Sequence, residues 1–354
     1  MLTFIIRRLM LVPLLLFGVT VMIFVMLQFL SPVDRAALYI RDIPRNPRAV
    51  EGVIKRYGLD KPFYVQYWNW LAGHVDPITG KRTGGIVFGD FGYSRSASQP
   101  VADLIRNRFP NTLDLTIWAV APVILVGIWL GVQAAVHHNG LIDQAARIFS
   151  IVGTSFPTFV FGLLMLLIFY ANMKWFPPGR LSDWANQAVY LPSFHHYTRL
   201  LTFDALLNGR LDIFWDAMRH MLMPILTLSY ISWATFVRVT RSSMLETLRQ
   251  EYVTTARAKG LPERDVIFKH AQPNAMIPVI TLAGFQVILL LGGVVITETV
   301  FNYPGIGAAA ADAAGQLDVI AVLGFALFNG FVLILSNLVV DVLYAVVDPR
   351  VRLS

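Results

Sequence analysis

Residues Met276–Thr297 read MIPVITLAGFQVILLLGGVVIT and carry no charged side chain. A run of roughly 17–25 apolar residues is what an α-helix needs to cross the hydrocarbon core of a bilayer. Outward from this stretch the same pattern recurs at Met10–Leu30, Leu115–Val136, Ile148–Met173, Met221–Val237 and Val319–Val340. In lipid only helices and closed barrels satisfy every backbone polar group. These runs are continuous rather than alternating, which excludes barrel strands. The expected fold is an all-α integral membrane protein with six transmembrane helices.

Composition agrees. Of 354 residues 56% are hydrophobic and 14% charged, whereas a soluble domain carries about 25% charged residues. The net charge of +7 is carried by basic residues that flank the spans, where they hold topology, so no nucleic-acid partner is expected. The chain has no cysteine, which excludes disulfides and thiol chemistry. Arg7 and Arg8 precede an apolar run that resembles a signal peptide, but the run is too long and continues as a full span.

Basic residues in short loops set orientation. They gather at Arg7 and Arg8, at Arg238, Arg241, Arg249, Arg257, Lys259, Arg264 and Lys269 between the fourth and fifth spans, and at Arg350 and Arg352. An even number of spans puts all three groups on one side, so both termini are expected in the cytoplasm. The loop Phe301–Asp318 has no Lys or Arg, as an outside loop requires. Residues Val33–Arg108 are basic and fall outside, but long translocated segments are largely exempt from the rule. The expected organisation is 1–30, the N-terminus and first span; 31–111, a large outside region; and 112–354, the core with spans two to six. A second outside region, about Lys174–Arg219, carries Trp175, Trp184 and Trp215 near span ends, where tryptophans anchor at the interface.

The loop 241–278 is more than a connector. Met244, Leu245, Leu248, Tyr252, Thr255 and Ala256 recur at helical spacing. Gly260 after Lys259 is a helix stop. Pro262 and the acids of Leu261-Pro-Glu-Arg-Asp265 suit a new helix start. The spacing predicts a helix, a glycine turn and a second helix. On physics alone two roles stand open: an amphipathic element on lipid headgroups, or a rigid docking element for a soluble partner.

The stretch Glu251-Tyr-Val-Thr-Thr-Ala-Arg-Ala-Lys-Gly260, followed by His270-Ala-Gln-Pro273, resembles the "EAA" loop of ABC importer permeases. Thr254, Thr255 and Ala256 stand at the Glu-Ala-Ala positions, Gly260 at the glycine and Pro273 at the closing proline. Arg257, Lys259 and Leu261 complete the stretch. Two residues depart from the pattern: Thr254 replaces glutamate, and Gln272 stands where leucine is usual. The peptide branch of the family is similar along the whole chain. The matching segments are Arg7-Arg8-Leu9, Gly58–Pro62 with Gln66-Tyr67, Gly89–Ser94, Pro110–Leu113, Ser155–Pro157, Trp175–Pro178, Glu298–Phe301, Pro304–Gly307, Asp341–Tyr344 and Asp348-Pro-Arg350. At the end of span one, Ser31-Pro-Val-Asp34 replaces the usual Pro-Gly-Asp-Pro, and the outside region between spans three and four is longer than usual.

The resemblance implies a multi-pass subunit of a prokaryotic inner membrane. It would form half of a pathway for peptides, or for oligosaccharides or nickel chelates. Implied partners are a second homologous permease, two cytoplasmic subunits that bind ATP and Mg, an extracytoplasmic binding protein, and membrane lipid. The coupling loop 241–278 would dock into the ATPase. The chain itself has no P-loop, no nucleophile or acid pair inside a span, and no convincing metal site, since His137-His138 and His195-His196 are adjacent in loops. No catalytic, cofactor-binding or metal residue is therefore assigned. A secondary transporter or channel would need charged residues in mid-span and a repeat across the halves. Neither is evident. Asp341 and Glu298 lie near span ends and read as structural, as do Pro13, Pro122, Pro157 and Gly292-Gly293, and the resemblance implies that Ser155-Phe-Pro157 is a kink in the third span.

Overall fold

In a computed structural model, residues 2–36, 47–75, 80 and 82–347 are described. The C-terminal Asp348-Pro-Arg350 and Arg352 lie outside the described residues. The chain is mostly helical and divides into two compact units, Met1–Pro110 with Gly305–Leu338, and Asn111–Pro304 with Val339–Ser354.

In the first unit, α1 (Leu2–Leu27), α2 (Pro47–Tyr57) and α3 (Phe63–Ala72) precede two small antiparallel hairpins. These are β1 (His74–Val75) with β2 (Arg82–Thr83), and β3 (Tyr93–Ser94) with β4 (Gln99–Pro100). The apolar side of α1 meets α3 and the later chain in a core of Ile23, Phe24, Leu27, Trp70, Ile320, Leu323 and Leu327. The Gly58–Pro62 and Gln66-Tyr67 segments now have a physical account. Gly58 turns the chain at φ +65°, a conformation that costs glycine little. The Gln66 amide donates to the carbonyls of Leu59 (3.0 Å) and Lys61 (2.6 Å) and accepts from Arg35. The Tyr67 hydroxyl meets Thr20 Oγ1 at 2.9 Å. The turn, α3 and α1 are thereby fixed as one body.

In the same unit Ser94 Oγ (2.7 Å), Ser96 Oγ (2.9 Å) and Ser96 N–H (3.0 Å) all donate to Asp318 Oδ2. Oδ1 of that carboxylate accepts from Ala321 N–H at the start of the last long helix. Burial pushes the Asp318 carboxyl up, but these donors outweigh it and hold the group below its ordinary value.

The second unit contains the rest of α4 (Val101–Val136), followed by α5 (Leu141–Ser155), α6 (Thr158–Met165), α7 (Asp183–Val189), α8 (Leu201–Leu207) and α9 (Leu211–Leu248). Next come α10 (Glu251–Ala258), α11 (Glu263–Ala275, π-helical over Val266–Ala271), α12 (Ile277–Leu291) and α13 (Val295–Val300). Helix α14 (Ile306–Gly315) and most of α15 (Val319–Val347) return to the first unit.

Helix α9 runs through the core of the second unit, where Met221, Ile225 and Phe236 meet Leu115, Ala119, Val123, Val279, Leu290 and Tyr303. Glycines on α4 set its approach to α9. A Cβ on Gly127 would stand 2.5 Å from the Cβ of Phe236, and one on Gly131 2.6 Å from the Cβ of Thr240. Small residues at such crossings let membrane helices pack by backbone contact.

Among the described residues four helices, α1, α4, α9 and α15, are long and apolar enough to span a bilayer. Two bent pairs raise the number to six if each is one span. The third expected span is broken by 103° where Pro157 precedes α6, so Ser155-Phe-Pro157 forms a corner rather than a kink. A 55° bend lies at the entrance to the fifth expected span, where α11 of the segment 241–278 meets α12. The Gly292-Gly293 pair ends α12. Gly293 sits at φ +93°, and no atom lies within 3.4 Å of a Cβ on Gly292. The left-handed backbone at Gly293, where α12 stops, explains that pair, and Gly292 is not closely packed.

Candidate functional site

The segment 241–278 folds as a helix, a glycine turn and a second helix. Helix α9 stops at Arg249, and Gln250 is extended at φ −71° and ψ 149° before α10 begins. That break resets the helical phase. Met244 stays buried, as the spacing requires, but Tyr252 and Thr255 turn outward, and Val253 with Ala256 turns inward. At the end of α10, Gly260 adopts φ +78° and its N–H donates to Arg257 O at 2.9 Å. Pro262 occupies the cap position of α11, one residue before the first helical position expected for it.

The inward faces of the pair close a small core. Val253, Ala256, Val266, Ile267, Ala271 and Ala275 pack with Met244 of α9 and with Val132 and Ala135 of α4. Burying each valine or isoleucine contributes about 1.5–3 kcal/mol. Ser243 Oγ donates to Ala275 O at 2.7 Å, which pins the far end of α11 to α9. Across the turn the Arg257 guanidinium grips Glu263, with Nη2 2.7 Å from Oε1 and Nε 3.1 Å from Oε2. Both side chains are exposed, so this pair contributes at most about 1 kcal/mol. Lys269 Nζ meets Asp265 Oδ2 at 2.9 Å.

The site residues therefore separate into two groups. Thr254, Thr255, Arg257, Lys259, Gly260, Leu261 and Pro273 are exposed, whereas Ala256 is buried. Exposed Tyr252 and Phe268 add two aromatic side chains to the outer surface. Phe268 was not legible as a site residue because the π-helical stretch changes the angular step between side chains.

Sequence reasoning also missed an ion pair beside this segment. Asp143, near the start of α5, has a fully buried side chain. Arg241 of α9 donates to it from both Nε and Nη2, the latter at 2.8 Å. Asn139 N–H donates at 2.9 Å, His138 Nδ1 lies at 3.3 Å and an Arg147 nitrogen at 3.6 Å. The signal in the sequence was a lone acid next to a glycine turn, and its basic partner is distant in the chain.

Other polar clusters are structural clasps. Glu298 is fully buried and accepts from Thr112 Oγ1 at 2.7 Å. Ser182, His220 and Asp216 have the residue types of a hydrolytic triad but not its geometry. Asp216 Oδ1 accepts from Ser182 itself (2.7 Å), and His220 Nδ1 faces Pro178 O (3.1 Å). Ser182 Oγ (3.3 Å) and Asp216 Oδ2 (3.8 Å) both lie at His220 Nε2, so the carboxylate does not hold the ring from the opposite nitrogen as a triad requires. The three residues tie the chain after α6 to the first turns of α9.

Comparison with known proteins places this arrangement. Residues 124–353 match the family described as binding-protein-dependent transport system inner membrane component. Residues 1–116 match its companion, the N-terminal part of the membrane component. The chain is 38% identical over 335 residues to the "Probable D,D-dipeptide transport system permease protein" of Escherichia coli strain K12, covering 94% of this chain and 93% of that one. It is 37% identical over 353 residues to the di/tripeptide transport system permease protein of Pseudomonas aeruginosa, covering 99% of each. The oligopeptide transport system permease protein of Bacillus subtilis is 35% identical over 354 residues, covering 99% of this chain and all of the relative.

Proposed function

The chain belongs to the family of inner membrane components of binding-protein-dependent transport systems, and on that premise we propose how it works as a peptide permease. It forms half of a translocation pathway and couples to cytoplasmic ATPases through α10 and α11. One observation carries the docking role. An amphipathic helix that rests on lipid needs an open apolar face. Here the apolar faces of α10 and α11 are already consumed by the core around Met244 and Val266. What remains outside is Tyr252, Leu261 and Phe268 among Arg257, Lys259 and Glu263. Aromatic anchors within a polar rim characterise protein interfaces.

The remaining parts of the reading follow from this one. Both termini and 241–278 face the cytoplasm, and 31–111 faces outward, where a binding protein delivers substrate. The chain divides functionally into 1–30, 31–111 and 112–354. A second homologous permease completes the pathway, and two ATP-binding subunits hold ATP and Mg. Relatives that cover nearly the full chain carry dipeptide, tripeptide and oligopeptide names, which supports a peptide substrate here. Oligosaccharides and nickel chelates are the competing cargoes.

The test is reconstitution of the complex in liposomes with its binding protein. Stimulation of ATP hydrolysis only by peptide-loaded binding protein supports the reading. A complex that assembles but ignores peptide redirects the substrate. Failure to assemble with any ATPase overturns the function.

A further inference from the structure

We propose that the buried Asp143–Arg241 ion pair is the link through which movement of the docking helices reaches the broken third span, an inference that rests on the docking role of α10 and α11. Arg241 lies on the last turns of α9, where Met244 and Ser243 hold the docking helices. Asp143 lies at the start of α5, which runs back along α9 to the 103° corner. Further along that path two contacts between α5 and α9 are apolar and close. A Cβ on Gly153 would stand 2.8 Å from the Cβ of Ala234, and the Phe149 and Tyr230 rings meet edge to face at 5.9 Å. Beyond the corner, Tyr230 stacks on Phe161 of α6 at 4.0 Å.

Apolar contacts of this kind permit small sliding movements. A two-pronged guanidinium–carboxylate contact fixes direction as well as distance. The pair is the point where sliding of α5 along α9 is blocked. Its desolvation fits that task. The carboxylate is fully buried and the Arg241 side chain is 19% exposed, so the pair is largely shielded from water. The turn around it is shaped to present the carboxylate. Asn139 takes φ +63° and its N–H donates to Asp143, while the His137 carbonyl lies 3.0 Å from where a Cβ on Gly140 would stand. The opposite side of α5 exposes Leu141, Ile148 and Ile151. At its first turns this ion pair is a directional hold of α5 onto α9. Asp143 and Arg241 act as positioning residues for coupling and touch no substrate.

The experiment uses the complete complex in liposomes and reads ATP hydrolysis and labelled dipeptide uptake separately. Asp143→Asn and Arg241→Lys are compared with native protein, together with the paired replacement Asp143→Leu with Arg241→Met. The paired replacement keeps the site packed and leaves no buried charge unpaired. The expected result is assembly and ATP hydrolysis within about twofold of native, with uptake per ATP lowered at least about tenfold in Asp143→Asn and in the paired replacement. Arg241→Lys keeps the charge but loses the two-pronged geometry, and is expected to fall between them and native. Native uptake per ATP in the assembled paired replacement overturns the proposal and leaves docking intact. An equal fall in uptake and hydrolysis also overturns it, because that marks a merely structural pair. Gly260→Val run in parallel tests the underlying docking role separately. If that variant retains native coupling, the docking role itself fails.

Discussion

Replacing Gly260 separates a backbone role from a contact role. The residue sits at φ +78°, and a Cβ there would meet nothing within 4 Å. Any penalty on substitution therefore comes from the left-handed backbone and not from a clash within the chain. For an ordinary L-residue that conformation costs about 1–2 kcal/mol, a factor of about 5–30 in the population of the turn. Asparagine visits this region far more readily than alanine, and a β-branched residue is the least tolerant. Gly260→Asn is expected to retain nearly native uptake per ATP, Gly260→Ala to lose part of it, and Gly260→Val most of it. The assay is dipeptide uptake and ATP hydrolysis by the reconstituted complex. Native coupling in Gly260→Val would show that the left-handed turn is not needed for coupling. Equal loss in Gly260→Asn and Gly260→Val would instead show that a partner presses on this surface.

Two further outcomes concern stability. Ala256 is buried against Val253, Val266 and Ile267, so Ala256→Leu overpacks the docking core by about 1–3 kcal/mol. Its melting temperature in detergent is expected to fall, while the exposed Thr255→Leu leaves it unchanged. Asp318 has a carboxyl held below its ordinary value. Its stabilising effect is therefore complete above that ordinary value, 3.8, and is lost as pH falls through the lower folded value. The melting-temperature gap between native protein and Asp318→Asn is expected to be constant from pH 7 down to about pH 5 and to close below the ordinary value.

Much of the fold was legible because membrane crossing imposes one coarse rule. Four apolar runs became unbroken helices. The other two were readable as apolar and as interrupted by proline, but the size of the bends, 103° and 55°, was not, since hydropathy carries no direction. The glycine turn at Gly260 was legible because few residues adopt that backbone. The facing of Tyr252 and Thr255 was not, because the helix restarts at Glu251 and periodicity cannot be carried across an extended residue. The Asp143–Arg241 pair was invisible for a further reason: its partners are distant in the chain, and only the packing of α5 along α9 brings them together.

The proposed docking role puts the outer face of α10 and α11 against an ATPase subunit. A photo-reactive phenylalanine analogue placed at Tyr252, at Phe268 and, as control, at the exposed Phe285 of α12 tests it directly in the assembled complex. Covalent adducts with the ATPase subunit are expected from the first two positions and none from the third. Adducts with lipid alone at Tyr252 and Phe268 would contradict the docking role.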